Sequence, residues 1–216
     1  MIILFHTSHI PINHQYRGDC WISYKGGFMK KQLERTAMTR GTLIDTFIKL
    51  SENKPINKIS VSEICNVAGY NRSTFYQYFT DTHHLLSCIE DDLLLYIKNT
   101  VISQIGERHP ENLFVDLFIE VNTDKKNTLK LFLDKSLNNG FPTKLKESLI
   151  PLFAAQMNLS LDDEQTIYKL DFYLSGIISV LSRWVTSDTS MPPEKYGLIV
   201  QQLVEGMRKS GIFPSL

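Results

Sequence analysis

The stretch that most limits what this chain can fold into is residues 60–79, Ser-Val-Ser-Glu-Ile-Cys-Asn-Val-Ala-Gly-Tyr-Asn-Arg-Ser-Thr-Phe-Tyr-Gln-Tyr-Phe. Ser60 and Glu63 have the S-x-x-E spacing of a capping box, which starts a helix by satisfying its first free backbone N–H groups. Val61, Ile64, Cys65 and Ala68 then recur at helical spacing and define a buried face. Gly69 provides the backbone freedom for a sharp stop. Asn71 is a good N-cap for a second helix over 72–79, in which Phe75 and Phe79 lie four apart and point inward. Arg72, Ser73, Thr74, Tyr76, Gln77 and Tyr78 are left on its N-terminus and outer face. Two short helices joined by a glycine turn, with hydrogen-bonding side chains on the second, make a helix-turn-helix. In that arrangement the second helix enters the DNA major groove N-terminus first.

Helical periodicity continues through the rest of the chain with almost no strand signal. Thr39–Glu52 reads as a first helix on Leu43, Ile44, Phe47, Ile48 and Leu50, and Asn53-Lys54-Pro55 ends it. Asp81 can cap a long helix to about Ile105 through Leu85, Ile89, Leu93, Ile97 and Val101. At 1.5 Å per residue it would extend for about 37 Å. Further helices are expected near 111–122, 124–137, 143–158, 163–186 and 193–210, separated by Pro110, Gly140–Pro142 and Met191-Pro192-Pro193. Asp162 and Asp163 place negative charge at the start of the 163–186 helix, where its dipole favours it. The expected architecture is all-α in two domains: a helix-turn-helix head over 29–80 and a larger helical domain over 81–216. Residues 1–28 lack a convincing period, and Met29 is favoured as the real start. Lys25-Gly26-Gly27-Phe28-Met29 can be encoded as a purine-rich ribosome-binding sequence just before a start codon. The competing reading is a flexible DNA-gripping arm, but only Arg17 and Lys25 are basic there.

Composition narrows the function. A hydrophobic content of 43% can bury a core and is too high for general disorder. No apolar run approaches the roughly 20 residues of a membrane helix. Three widely spaced cysteines, Cys20, Cys65 and Cys88, suggest a reduced cytoplasmic protein rather than a disulfide framework. The net charge is zero but unevenly spread. Residues 1–80 hold ten Lys/Arg against five Asp/Glu, and residues 81–216 hold thirteen against eighteen. A basic head beside an acidic remainder suits phosphate contact by the head alone. His83-His84 is adjacent rather than i,i+4, and Gly26-Gly27 lacks the other residues of a phosphate loop. No metal site, cofactor or catalytic constellation is expected, and an enzyme is not the reading.

The stretch from about 39 to 86 resembles the TetR family of bacterial one-component transcriptional regulators. Its motif is Ile64-Cys65-Asn66-Val67-Ala68-Gly69-Tyr70-Asn71-Arg72-Ser73-Thr74-Phe75-Tyr76-Gln77-Tyr78-Phe79, followed by Leu85-Leu86. The resemblance implies a three-helix DNA-binding head and a helical ligand-binding and dimerisation domain. It places Arg72, Ser73 and Thr74 at the mouth of the recognition helix, with Arg72 the best candidate for reading guanine through O6 and N7. Tyr76 and Tyr78 would meet phosphates, sugars or thymine methyls. Ser60 and Ser62 would bond backbone phosphate, with Lys58, Thr39 and Arg40 nearby. Where the family usually has a lysine near the start of the fourth helix, this chain has Thr82, His83 and His84. That phosphate contact is therefore absent, or pH-dependent through a histidine.

The resemblance also implies an operator-binding homodimer, most simply a repressor released by a small molecule. The dimer would pair the last two helices, whose Ser175, Gly176 and Ser179 allow close approach and whose Ile177, Ile178, Leu181, Leu198, Leu203 and Met207 can bury apolar area. Phe114, Phe118, Phe132, Tyr168, Phe172 and Trp184, with Phe153 and Tyr173, are candidates to line an effector cavity; core packing is the competing role for each. His109, Asn122 and Arg183 are candidate polar anchors. Phe132–Gly140 and Tyr173–Trp184 weakly resemble the subgroup of regulators of dihydroxyacetone kinase operons. The alternative function is therefore a coactivator or protein-sensing regulator of that type.

Overall fold

The computed structural model describes residues 27–106, 115–116, 118–120, 125–134, 140–187 and 191–210. Among these residues no strand occurs, and the fold is all-α. The helices are α1 (Gly27–Ser51), α2 (Val61–Ala68), α3 (Arg72–Phe75), α4 (Thr82–Gly106), α5 (Lys126–Leu133), α6 (Phe141–Gln156), α7 (Glu164–Thr186) and α8 (Pro193–Lys209). A 3-10 turn over Ile56–Lys58 precedes α2. Residues 118–120 are helical as well. Contacts divide the chain into two compact units, one ending at Leu85 and the other beginning at Leu86.

In the first unit α1 packs on α2, and α2 on α3. The core is Leu43 and Phe47 from α1, Ile59, Ile64 and Cys65 around α2, and Phe75, Phe79 and Leu85 beyond the turn, all at most 4% exposed. Two expectations need correction. The first helix starts at Gly27, twelve residues before Thr39. The stretch after Phe28 is rich in straight-chain helix formers, Met-Lys-Lys-Gln-Leu-Glu-Arg, which extend a helix without an apolar face to signal it. Of the segment 1–28, only Gly27 and Phe28 lie within the described residues, and both are helical.

The second correction concerns the helix expected over 72–79. Regular α-helix covers only Arg72–Phe75. Beyond it the coil tightens. Gln77 N donates to Thr74 O (3.2 Å) and Tyr78 N to Phe75 O (2.9 Å) in i,i+3 bonds, before Phe79 N returns to the i,i+4 partner Phe75 O at 3.0 Å. The i,i+3 pattern turns the chain sharply enough to bring Phe79 back beside Phe75, with ring centroids 5.4 Å apart.

In the second unit α7 is central: α5, α6 and α8 all pack on it. Leu170, Tyr173, Leu174, Ile178, Leu181 and Trp184 form its buried stripe. Phe132 of α5 meets Phe141 of α6 at 5.1 Å, and Phe153 of α6 meets Tyr173 at 5.7 Å. Asp163 caps α7, accepting from the backbone N–H groups of Gln165 (3.2 Å) and Thr166 (3.1 Å). Ion pairs tie α6 to its neighbours, Lys146 to Asp171 at 2.5 Å and Lys144 to Glu90 at 2.8 Å. No helix among the described residues is long and apolar enough to cross a membrane.

Candidate nucleic-acid interface

Ser60 holds the start of α2 in the expected way: its Oγ accepts from Glu63 N at 3.2 Å. The reciprocal half of the capping box is not made. The Glu63 carboxylate instead takes the Lys54 ammonium at 2.5 Å, and that bond holds its pKa below the ordinary value. An ammonium is a stronger partner for a carboxylate than a backbone N–H, so the charge wins the competition. Gly69 ends α2 in the left-handed region at φ 75°, and Tyr70 N bonds back to Cys65 O at 2.9 Å. That geometry would strain any residue with a Cβ.

The chain then enters α3 with Asn71 at the N-cap position. Its backbone carbonyl accepts from Thr74 N (3.0 Å) and Phe75 N (3.3 Å), but its side chain makes no capping bond, contrary to expectation. Asn71, Arg72, Ser73, Tyr76 and Gln77 are exposed, whereas Thr74 and Tyr78 are half-buried. Tyr76 is 58% exposed, with its ring edge-on to Phe75 at 5.7 Å, so an inward phenylalanine braces an outward tyrosine. Tyr78 lies 6.4 Å from the Phe79 ring. Across the turn Arg72 Nη2 donates to Ser62 Oγ at 2.8 Å, which joins two of the expected contact residues directly.

Around this core sit the outlying candidates. Lys58 is exposed at the end of the 3-10 turn. Thr39 and Arg40 are half-buried on α1, and the Arg40 guanidinium lies 5.7 Å from the centroid of the Phe79 ring. Thr82 is half-buried and His83 exposed in the first turn of α4. His84 has a structural job that its sequence position does not advertise. Asp81 Oδ1 accepts from His84 N at 2.8 Å, while His84 Nδ1 accepts from Thr80 N at 3.0 Å. Accepting at Nδ1 requires that nitrogen to be unprotonated, with the ring proton on Nε2.

The His84 backbone N–H, helped by the His83 backbone N–H, holds the Asp81 carboxyl below its ordinary 3.8. A value depressed on folding gives stability that is complete above the unfolded value and lost as pH falls through the folded one. Asp81→Ala should therefore melt at a lower temperature than the parent at neutral pH, and the gap should close as the buffer is taken below about pH 4. Melts that keep a constant gap down to pH 2 would remove this charge from the stability of the α4 start.

The aromatic candidates of the second unit separate into two groups. Phe118, Phe132 and Trp184 are interior, at most 2% exposed. Phe118 and Trp184 lie 5.3 Å apart and share Tyr196 of α8, while Lys126 reaches to 5.5 Å from the Trp184 ring. Tyr168 and Phe172 do not join them. They are 68% and 71% exposed, one turn apart on the side of α7 away from Leu170 and Leu174. Their hydrophobicity marks them as contact residues but gives no side of the helix. Arg183 is exposed, and Phe114, His109 and Asn122 lie outside the described residues. Among the described residues no group of three His, Cys, Asp or Glu is placed to hold a metal ion.

Residues 108–206 match the family model TetR_C_8, described as a transcriptional regulator C-terminal region. A comparison by sequence with curated proteins finds no match. Among solved structures the chain is similar to the dihydroxyacetone kinase operon activator DhaS, with a TM-score of 0.60 and 20% identity over 83% of this chain and 99% of that one. It is also similar to the fatty acid degradation regulator FadR from Bacillus halodurans, with a TM-score of 0.62 and 18% identity over 85% and 97%. A TetR transcriptional regulator from Streptococcus agalactiae 2603V gives 0.55 and 18% over 82% and 99%. At these identities the likeness is one of fold. Residues 108–206 thus match a transcriptional regulator C-terminal region in sequence, and most of the chain shares the fold of TetR-type transcriptional regulators.

Proposed function

We propose that the chain binds operator duplex DNA as a homodimer and represses transcription until a small-molecule effector releases it. The observation that supports this best is the exposed cluster Asn71, Arg72, Ser73, Tyr76 and Gln77 at the start of α3, on a scaffold anchored by the buried Phe75 and Phe79. Donors and acceptors at a helix N-terminus match the edges of base pairs in the major groove. Ser60, Ser62, Lys58, Thr39, Arg40, Thr82 and His83 would contact the flanking phosphates.

The dimer face is assigned to α7 and α8. Tyr168, Phe172, Gly176 and Ser179 form an exposed stripe along α7, and Leu198, Gln202, Gly206 and Lys209 form one along α8. Each stripe carries a glycine where a second copy can approach closely, beside Tyr168 and Phe172 on α7 and Leu198 on α8. A two-fold dimer presents two heads to two half-sites of a near-palindrome. Effector binding is assigned to the interior around Phe118, Phe132 and Trp184. Coupling of about 1–3 kcal/mol would change operator affinity roughly 5- to 150-fold. The competing reading is a coactivator that answers to a protein partner. It draws on the likeness to an operon activator, DhaS.

The test is selection of duplexes from a random pool with the purified full-length chain. The expected winners are near-palindromes whose half-sites are spaced by about one helical turn or a multiple of it. Enrichment of no duplex would overturn the proposal. Release of the selected duplex by a small-molecule extract supports the repressor; transcription that rises only with a second protein supports the coactivator.

A further inference from the structure

Ser62 and Arg72 are ten residues apart in sequence, yet Arg72 Nη2 donates to Ser62 Oγ at 2.8 Å. Ser62 is in the first turn of α2 and Arg72 is the first residue of α3, so the bond links the two helix N-termini that the motif presents outward. An exposed arginine samples many rotamers, and freezing one on binding opposes affinity. Here the side chain is already tethered before any duplex arrives. The tether does not exhaust either group. A guanidinium has five N–H donors; with one given to Ser62, a side-by-side pair remains for an acceptor pair such as guanine O6 and N7. A serine hydroxyl that accepts one hydrogen bond still has its own O–H to donate. Ser62 is half-buried, which restricts where that O–H can point.

Resting on the DNA-binding reading above, we propose that Ser62 is a positioning residue that determines specificity. Its hydroxyl aligns Arg72 on one base pair while donating a hydrogen bond to a backbone phosphate. Base readout and backbone anchoring then share a single oxygen atom. A plain phosphate contact acts differently, since it weakens all sequences alike when removed.

The experiment uses the full-length parent with S62A, S62T, R72A and the S62A/R72A double variant. Each is titrated against the selected duplex and against duplexes substituted one base pair at a time. S62A should lose about tenfold in preference at the one position where R72A also loses preference, and keep its preference elsewhere. S62T, which retains a hydroxyl, should keep that preference. In the R72A background the S62A change should remove little further preference, because the two act through one bond. The inference is overturned by an S62A that weakens every duplex by the same factor, or by losses of preference that simply multiply in the double variant. A parent that selects no duplex removes the DNA-binding reading itself. A parent that selects while S62A keeps its full preference removes only the role given to Ser62.

Discussion

Phe75→Ala is expected to unfold the first unit and abolish binding to every duplex, specific or not. Phe75 is fully buried, and its ring is in contact with two others, Phe79 at 5.4 Å and Tyr76 at 5.7 Å. Truncating a buried phenylalanine costs about 3–5 kcal/mol, the transfer term plus the cavity left behind. A unit of this size has little stability to lose, because small cores bury a smaller share of their surface. The ring sits directly under the turn, so the exposed side chains of α3 lose their platform at the same time. Circular-dichroism melts of the full chain should show an early loss of part of the helical signal. The second unit, which does not contain Phe75, should retain its own transition. Phe75→Leu keeps most of the volume and should cost less than about 1.5 kcal/mol, with binding preserved. A Phe75→Ala chain that melts and binds like the parent would contradict the packing described for the head.

That packing was legible in sequence because each part of it is local. Phe75 and Phe79 stand one helical turn apart, and the structure buries both. Gly69 was singled out as a helix stop, and it takes the left-handed backbone that only glycine adopts without strain. Two elements of the head came out with different bounds, each for its own reason. The added first half of α1 has helix formers but no apolar stripe, and the expected 72–79 helix tightens after Phe75 to close the two rings on each other.

Interactions between residues distant in sequence were not legible, because a pattern on one helix cannot show what crosses a turn. Glu63 has the spacing of a capping box, but Lys54 lies close enough in space to claim its carboxylate. The Arg72–Ser62 bond depends on the angle between α2 and α3 and has no spacing signature. His84 was noted only beside His83, yet it closes the start of α4 through a backbone N–H. In the second unit the aromatic residues were legible as contact-makers but not by side. Tyr168 and Phe172 lie on the outward face of a helix whose inward face holds Leu170 and Tyr173. An exposed aromatic stripe carries the same hydrophobic signal as a buried one, and only the surrounding helices decide which it is.

Arg72→Ala should weaken binding to the selected duplex by about 1–3 kcal/mol and relax the preference at one base pair. The variant removes the planar fork and leaves the fold standing, because Arg72 is exposed and its one direct bond to Ser62 lies at the surface. Arg72→Lys separates shape from charge. A lysine keeps the positive charge at the start of α3 but cannot present two parallel donors to one base edge. It should therefore restore non-specific affinity at low salt without restoring the preference. The salt dependence gives an independent reading. If Arg72 contacts a base, the slope of affinity against salt should be the same for parent and Arg72→Ala; if it contacts a phosphate, the slope should fall by about one. Titrations at three or more salt concentrations, against the selected duplex and its single substitutions, measure both quantities together. An Arg72→Ala chain with the parent's preference at every position would show that α3 does not read sequence through this residue. A reduced slope with unchanged preference would move Arg72 to the phosphate backbone.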